Sequence, residues 1–168
     1  MSTDFSIRVA SLEDKEVVTQ LLKASYPVLM KSRYSEEHLS NILPIMTKAN
    51  PFLLSSGTFY LAETKDKSVI GCGGWTKEKP GSSEIETGLG HIRHFATHPQ
   101  WTRKSIGRKI YQRCEKEAKM AQIKCFECFS SLNAEGFYRA LGFKSVKNID
   151  IILVNHLKIE AVWMRRYI

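Results

Sequence analysis

Apolar positions along the chain change period several times, and each change marks an element. "FSIRVAS" near the start alternates and reads as a strand. Ser11 with Asp14 three residues later has the form of a capping box. After it Val17, Val18, Leu21, Leu22 and Ser25 recur at helical spacing. "YSEEHLSNILPIMTKANP" reads as a second helix, started by Ser35 and stopped by Pro51. Its Leu39, Ile42, Leu43 and Met46 share a side, and Pro44 is a source of a kink. "GTFYLAET" and "SVIGCGGWTK" read as paired strands across the polar turn "KDK", and "KEKPGSSE" as a loop. "GHIRHFATHP" is a strand, followed by a basic helix from about Ser105 to Gln122 with Ile106, Ile110 and Cys114 on its apolar side. "IKCFECFSS" is a strand, and "AEGFYRALGF" a short helix closed by Gly142. "SVKNIDIILV" and "EAVWMRRYI" finish as strands.

This order predicts an α+β fold, a three-layer arrangement on a sheet of about seven strands with about four helices. The central strand–helix–strand should be a right-handed crossover between parallel strands. A generic open α/β sheet is compatible with the same order. No internal repeat or linker divides the 168 residues, so the expectation is a single domain over 1–168.

Composition changes this picture little. No apolar run approaches the ~20 residues of a membrane span, and the start lacks a basic region followed by an apolar one. The expectation is a cytoplasmic protein without a membrane partner. Net charge is +8, which fits nucleic acid, an anionic membrane, an anionic small molecule, or solubility alone. The basic residues gather in one place: Arg103, Lys104, Arg108, Lys109, Arg113, Lys116 and Lys119. That favours a local anion site. "CFEC" has C-x-x-C spacing at Cys125 and Cys128, but in a strand residues three apart point to opposite faces. No second pair at zinc spacing accompanies it. We expect structural cysteines and no metal.

The stretch "THPQWTRKSIGRKIYQRC" puts a small, basic turn at the mouth of a helix. Unpaired N–H groups and the positive end of the helix dipole converge there, which suits an anion. Charge alone would also allow a basic recognition helix for nucleic acid. The apolar face of this helix is complete, however, and no partner helix with a short Gly turn precedes it, so nucleic acid is an unfavoured partner.

Two segments resemble the GCN5-related N-acetyltransferase (GNAT) family. "IRHFATHPQWTRKSIGRKIY" is similar to the family's acetyl-CoA segment, and "SSLNAEGFYRALGF" to its second motif, through Asn133, Phe137, Tyr138, Leu141, Gly142 and Phe143. Two positions depart: Thr102 stands where the family has Arg or Gln, and Ser105 where it has its first Gly. The resemblance implies a mixed, mostly antiparallel sheet and acetyl-CoA as acyl donor. It implies pyrophosphate held by Arg103, Lys104, Ser105, Ile106, Gly107 and Arg108. It also implies a pantetheine arm along Phe95, Ala96 and Thr97, with Asn133 near that arm. Asn133 also suits an N-cap of the short helix. The Ser105 side chain either donates to phosphate or crowds it.

The implied activity is acetyl transfer to a primary amine by direct attack on the thioester. An amine of pKa ~10.4 is neutral in only about one part in 2,500 at pH 7, a handicap of roughly 4.6 kcal/mol. A base, or a site that lowers the amine's pKa, removes it. The departing thiolate needs a proton, and Tyr138 suits that role. Phe137 and Leu141, four apart, form the apolar face of the short helix, and Tyr138 is turned about 100° away. The resemblance puts His91 where members that use a carboxylate base carry Glu; Glu84, Glu86 or water are the alternatives. The acceptor has no readable motif. Its site should be shaped by the first two helices, the "KEKPGSSEIETG" loop and the last strands, and the positive charge disfavours polyamines. A non-catalytic acyl-CoA-binding module is the competing reading, and a homodimer is compatible with either.

Overall fold

The computed structural model describes residues 4–168; the first three residues of the segment weighed above as a leader fall outside it. The strands are β1 (Phe5–Val9), β2 (Phe59–Thr64), β3 (Val69–Thr76), β4 (Leu89–Thr97), β5 (Cys125–Ser131), β6 (Lys144–Ile152) and β7 (Lys158–Tyr167). They form one seven-stranded sheet in the order β1-β2-β3-β4-β5-β7-β6. Every neighbouring pair is antiparallel except β4 with β5. The helices are α1 (Lys15–Met30), α2 (Glu36–Met46), α3 (Pro51–Leu54), α4 (Ile106–Met120) and α5 (Glu135–Ala140). The sheet is mixed and mostly antiparallel, and β4–α4–β5 is its parallel crossover, as expected.

Local chemistry explains the helix starts. The Ser11 N–H donates to the Asp14 carboxylate at 2.8 Å, the acidic half of the expected capping box. Ser35 Oγ accepts from the His38 N–H at 3.1 Å and starts α2. The second helix is shorter than its pattern suggested. It ends at Met46, and Pro51 opens α3 instead, with Asn50 Oδ1 capping the Phe52 N–H at 3.0 Å. Proline lacks the N–H that a first helical position leaves unused, so it starts a helix as readily as it stops one. In α1, Val18, Leu21, Leu22 and Ser25 are buried, but Val17 is exposed. At about 100° per residue, Val17 sits roughly 90° from the middle of that stripe.

The two faces of the sheet carry different helices. Ile106, Ile110, Cys114 and Ala118 bury the inner side of α4. A Cβ on Gly71 of β3 would meet Ile106 Cγ2 at 2.5 Å, so that face of β3 lies against α4. The next residue, Cys72, points the other way, into a cluster with Leu21 and Leu22 of α1.

Along β4 this alternation is broken. Gly74 pairs with Arg93 and Cys72 with Ala96, so His94 and Phe95 together oppose Gly73. This is a β-bulge, and His94 sits in it at φ 47°. Ile92 therefore belongs to the core on the α4 side, whereas Ala96, four residues on, packs with α1. The parallel ladder from β4 to β5 is short as well. It runs from Leu89 opposite Cys125 to His91 opposite Glu127, and then the strands part. The gap between them is where the cavities lie.

Candidate active site

Two cavities meet at this gap. The first, about 790 Å³, lies between the end of β4, the turn before α4, the start of α4 and α5. The second, about 690 Å³, lies between α2, the loop after β3, the bulge of β4 and strand β6. Tyr26, Met30, Phe95, Ser131, Ala134 and Tyr138 line both.

The first cavity collects most of the residues singled out in the sequence. Phe95, Ala96, Thr97, Arg103, Ser105, Ile106, Gly107, Arg108, Asn133 and Tyr138 all line it. Past His91 the β5-facing edge of β4 has no ladder partner, so backbone groups of Ile92 to Thr97 are left for other acceptors and donors. Two of the backbone groups in this stretch have side-chain donors: Ser25 Oγ donates to the Thr97 carbonyl at 2.8 Å, tying α1 to the end of β4, and Cys72 Sγ donates to the His94 carbonyl at 3.3 Å. At the start of α4 the first N–H groups have no helical partner. Arg103 and Arg108 line the cavity beside them and make no ion pair among the described residues.

Lys104 is placed differently. Its Nζ lies over the Trp101 ring, 5.6 Å from the centroid, and it does not line the cavity. Ser105 stands at φ 61° as the N-cap of α4, without a side-chain capping bond. Glycine suits that position for a backbone reason, since the left-handed region disfavours a Cβ. Gly107 is required by close approach. A Cβ there would stand 2.9 Å from both Cε2 and Cζ of Phe137.

Asn133 is not the helix cap that its position suggested. It lies inside a single 3-10 turn, Leu132–Ala134, and the cap position of α5 is Ala134. Its Oδ1 is buried without a hydrogen-bond partner among the described residues, on the wall of the first cavity. An unsatisfied buried acceptor is costly unless a ligand donor meets it.

Tyr138 is buried, at 5% exposure. Its ring packs on Phe137 (5.0 Å between centroids), Phe143 (5.5 Å) and Phe95 (6.1 Å). It is therefore a core aromatic and a cavity wall at once. Phe137 also lines the first cavity, so the division of an apolar Phe137 from a site-facing Tyr138 does not hold. Both rings come from one helix of six residues and both line the first cavity. Burial holds the Tyr138 phenol protonated well above the usual range, and the Cys128 thiol beside it adds to this. Cys128 itself is pushed up to about 12 by burial.

His91 lines neither cavity. Its Nδ1 is 3.9 Å from Glu127 Oε1, and Glu127 is also held by Trp163 Nε1 and Arg165 Nε, each at 2.8 Å. Burial lowers its pKa, against the pull of Glu127. Glu84 and Glu86 are exposed on the loop before β4 and line neither cavity. His94 lines the second cavity, where burial, aided by Arg93, brings its pKa down to about 4.

His94 stands in the bulge itself, where the alternation of the strand does not fix the direction of a side chain. Tyr26 was missed. Its signal was available, four residues after Leu22 on the flank of the α1 stripe opposite Val17. All four cysteines are free and buried. Cys128 lines the second cavity and Cys125 does not. Among the described residues no three His, Cys, Asp or Glu side chains gather as a metal set, and no helix is long and apolar enough to cross a membrane. The arrangement can hold two ligands end to end with a phenol where they meet.

Comparison with known proteins agrees with this fold. Similar folds include PaiA N-acetyltransferase from Thermoplasma acidophilum in complex with coenzyme A, at 20% identity and TM-score 0.72 over 99% of this chain and 100% of that one. A GCN5-related N-acetyltransferase from Rhodopseudomonas palustris matches at 19% identity and TM-score 0.80, over 100% and 98%. A mosquito arylalkylamine N-acetyltransferase like 5b matches at 17% identity and TM-score 0.65, over 98% and 100%. At these identities the likeness is one of fold. No curated protein sequence matches the chain. The family profile described as an acetyltransferase (GNAT) domain matches residues 55–145, more than half of the chain and the whole of β4, α4, β5 and α5. The chain belongs to the GNAT acetyltransferase family.

Proposed function

We propose that the protein transfers the acetyl group of acetyl-CoA to a primary amine by direct attack of the amine on the thioester. The observation that carries this reading is Tyr138, which lines both cavities at their junction. Coenzyme A occupies the first cavity. Its pyrophosphate lies at the N-terminus of α4, near Arg103 and Arg108, with Ser105, Ile106 and Gly107 supplying close backbone. Its pantetheine arm runs along Phe95, Ala96 and Thr97, and an amide N–H of the arm meets the unpaired Asn133 Oδ1. The complex of PaiA with coenzyme A supports this assignment of ligand.

The acceptor enters from the second cavity. Its nitrogen bonds to the carbonyl carbon, the carbon–sulfur bond breaks, and the thiolate takes a proton from Tyr138 Oη. The phenol is held protonated by burial, so the proton is present at neutral pH. The proton that the amine sheds goes to water, and a proton returned through water restores the Tyr138 phenol. His91 enters only as a base acting through such water, because it lines neither cavity. A single domain suffices for both cavities, since β1 to β7 form one sheet.

The test is a screen of primary amines with acetyl-CoA, reading free CoA thiol and acetylated product by mass. Acetylated product from at least one amine is the expected result. Tight CoA binding with no transfer to any amine would favour the non-catalytic module.

A further inference from the structure

We propose that the second cavity takes an acceptor that carries a carboxylate as well as its amine, and that Arg93 binds that carboxylate. This rests on the acetyl-transfer reading above and names the class of its acceptor.

Arg93 lies on β4 just before the bulge and lines the second cavity at 9% exposure. Its Nη1 donates to Thr76 Oγ1 at 3.0 Å, and the Thr76 hydroxyl donates on to the Glu78 carbonyl at 2.8 Å. This chain fixes one side of the guanidinium. Among the described residues Arg93 makes no other side-chain hydrogen bond and no ion pair. A guanidinium has five N–H donors, so most of them lack a protein acceptor. Buried charges in folded proteins are nearly always paired, because an isolated one is strongly unfavourable.

The surrounding charges do not supply the partner. Glu78 attracts Arg93 without contacting it, and burial is the stronger influence on the group. Glu127 is held by Arg165 and Trp163. Asp150 lines the cavity from β6 but is exposed and makes no ion pair with Arg93. His94 is neutral above about pH 4. Around His91, Arg93 and Lys79 oppose protonation while Glu127 and Glu86 favour it, and neither carboxylate forms an ion pair with Arg93. What completes the Arg93 site is an anion from outside the chain.

A carboxylate fits best. One guanidinium matches its single charge and flat, two-oxygen edge, whereas a phosphate would call for further cations. The amine must reach Tyr138 on the wall of the same cavity, so both groups belong to one small molecule. Ile45, Met46, Ile92 and Ile151 line the cavity between them and suit an apolar body. An amino acid has this chemistry.

The experiment uses the full chain with acetyl-CoA and matched amines: amino acids, their carboxamides, and phosphoethanolamine set against β-alanine. Free CoA thiol is read for wild type, Arg93→Gln and Arg93→Lys, and CoA titration checks that each variant is folded. Wild type should favour the acid over its carboxamide by about 10- to 100-fold in kcat/KM, the usual effect of a hydrogen-bonded charge, and mainly through KM. Arg93→Gln should bring that ratio near one, and Arg93→Lys should restore part of it. An equal loss on acid and carboxamide, or a wild-type preference for the carboxamide or for phosphoethanolamine, overturns the proposal. If no amine is acetylated, the transferase reading fails, and melting of the CoA complex decides the site. Acids that raise Tm in wild type but not in Arg93→Gln uphold the carboxylate site, and equal shifts from acids and carboxamides overturn it.

Discussion

Tyr138 is a core aromatic that also lines both cavities, and it is the acid in the proposed transfer. The ring packs against Phe95, Phe137 and Phe143. Tyr138→Phe keeps the ring, so folding and CoA affinity should be retained. With an acceptor in hand, kcat should fall about 10²–10⁴-fold, the range of general acid catalysis, with little change in KM. A kcat within about twofold of wild type would leave the residue a packing role. His94 gives a second prediction. It gains a proton near pH 6.5 in the unfolded chain but only near 4 in the folded one. Across that window the unfolded state binds more protons, so stability falls as pH drops. At pH 5 the loss is about 2 kcal/mol, from ~1.36 per pH unit over about 1.5 units. His91 is shifted in the same direction, so the slope has two contributors. His94→Asn, which tolerates positive φ, should flatten the fall between pH 7.5 and 5 in urea melts by about 2 kcal/mol. An unchanged slope would show that His94 titrates normally.

The start of α4 was legible in advance, since the turn "TRKSIG" before a run of helical spacing marks a helix N-terminus that suits an anion. Its backbone was not legible. Arg103 and Ser105 both stand in the left-handed region, at φ 60° and 61°. For an L-residue that conformation costs roughly 1–2 kcal/mol. Ser105→Gly should therefore raise stability by about 0.5–1 kcal/mol after the added freedom of the unfolded glycine is discounted. Ser105→Ala, which keeps the Cβ, should bring no gain. Denaturant midpoints of the two variants check this, and equal midpoints would exclude the backbone account. Gly107 tests the neighbouring contact. Its Val variant pushes on Phe137, which supports both Phe95 and Tyr138. CoA affinity should drop in a variant that still folds, as measured by calorimetry.

At the scale of the molecule the site is a property of the sheet. β4 and β5 pair over three residues and then part, and the bulge at His94 turns β4 as they do. A ligand in the gap touches β4, α4, α5 and α1 together, so binding should stabilise the whole fold. At about 100 times its Kd, CoA adds about 2.7 kcal/mol. For a chain of this size that is a rise in Tm of about 5–11 °C. Scanning calorimetry with and without CoA measures it, and Gly107→Val should abolish most of the shift. An unshifted Tm at saturating CoA would remove the first cavity as its site.

Element order, the parallel crossover and most of the first cavity were readable along the chain, because each depends on local pattern. Hydrophobic period separates strand from helix, and a small basic turn before a helix offers a place that suits an anion. Three-dimensional packing decided the rest. Asn133 became an unsatisfied acceptor instead of a cap because it lies inside a 3-10 turn, one residue before the cap position of α5. His91 was drawn toward Glu127 and away from the cavities, and Arg93 was buried without a counter-charge. The bulge decided another placement, that of Ala96 on the α1 side: one extra residue on β4 reverses which face each later side chain meets. Such an insertion leaves no mark in the alternation of the strand itself. It shows only when the partner strand is laid beside it.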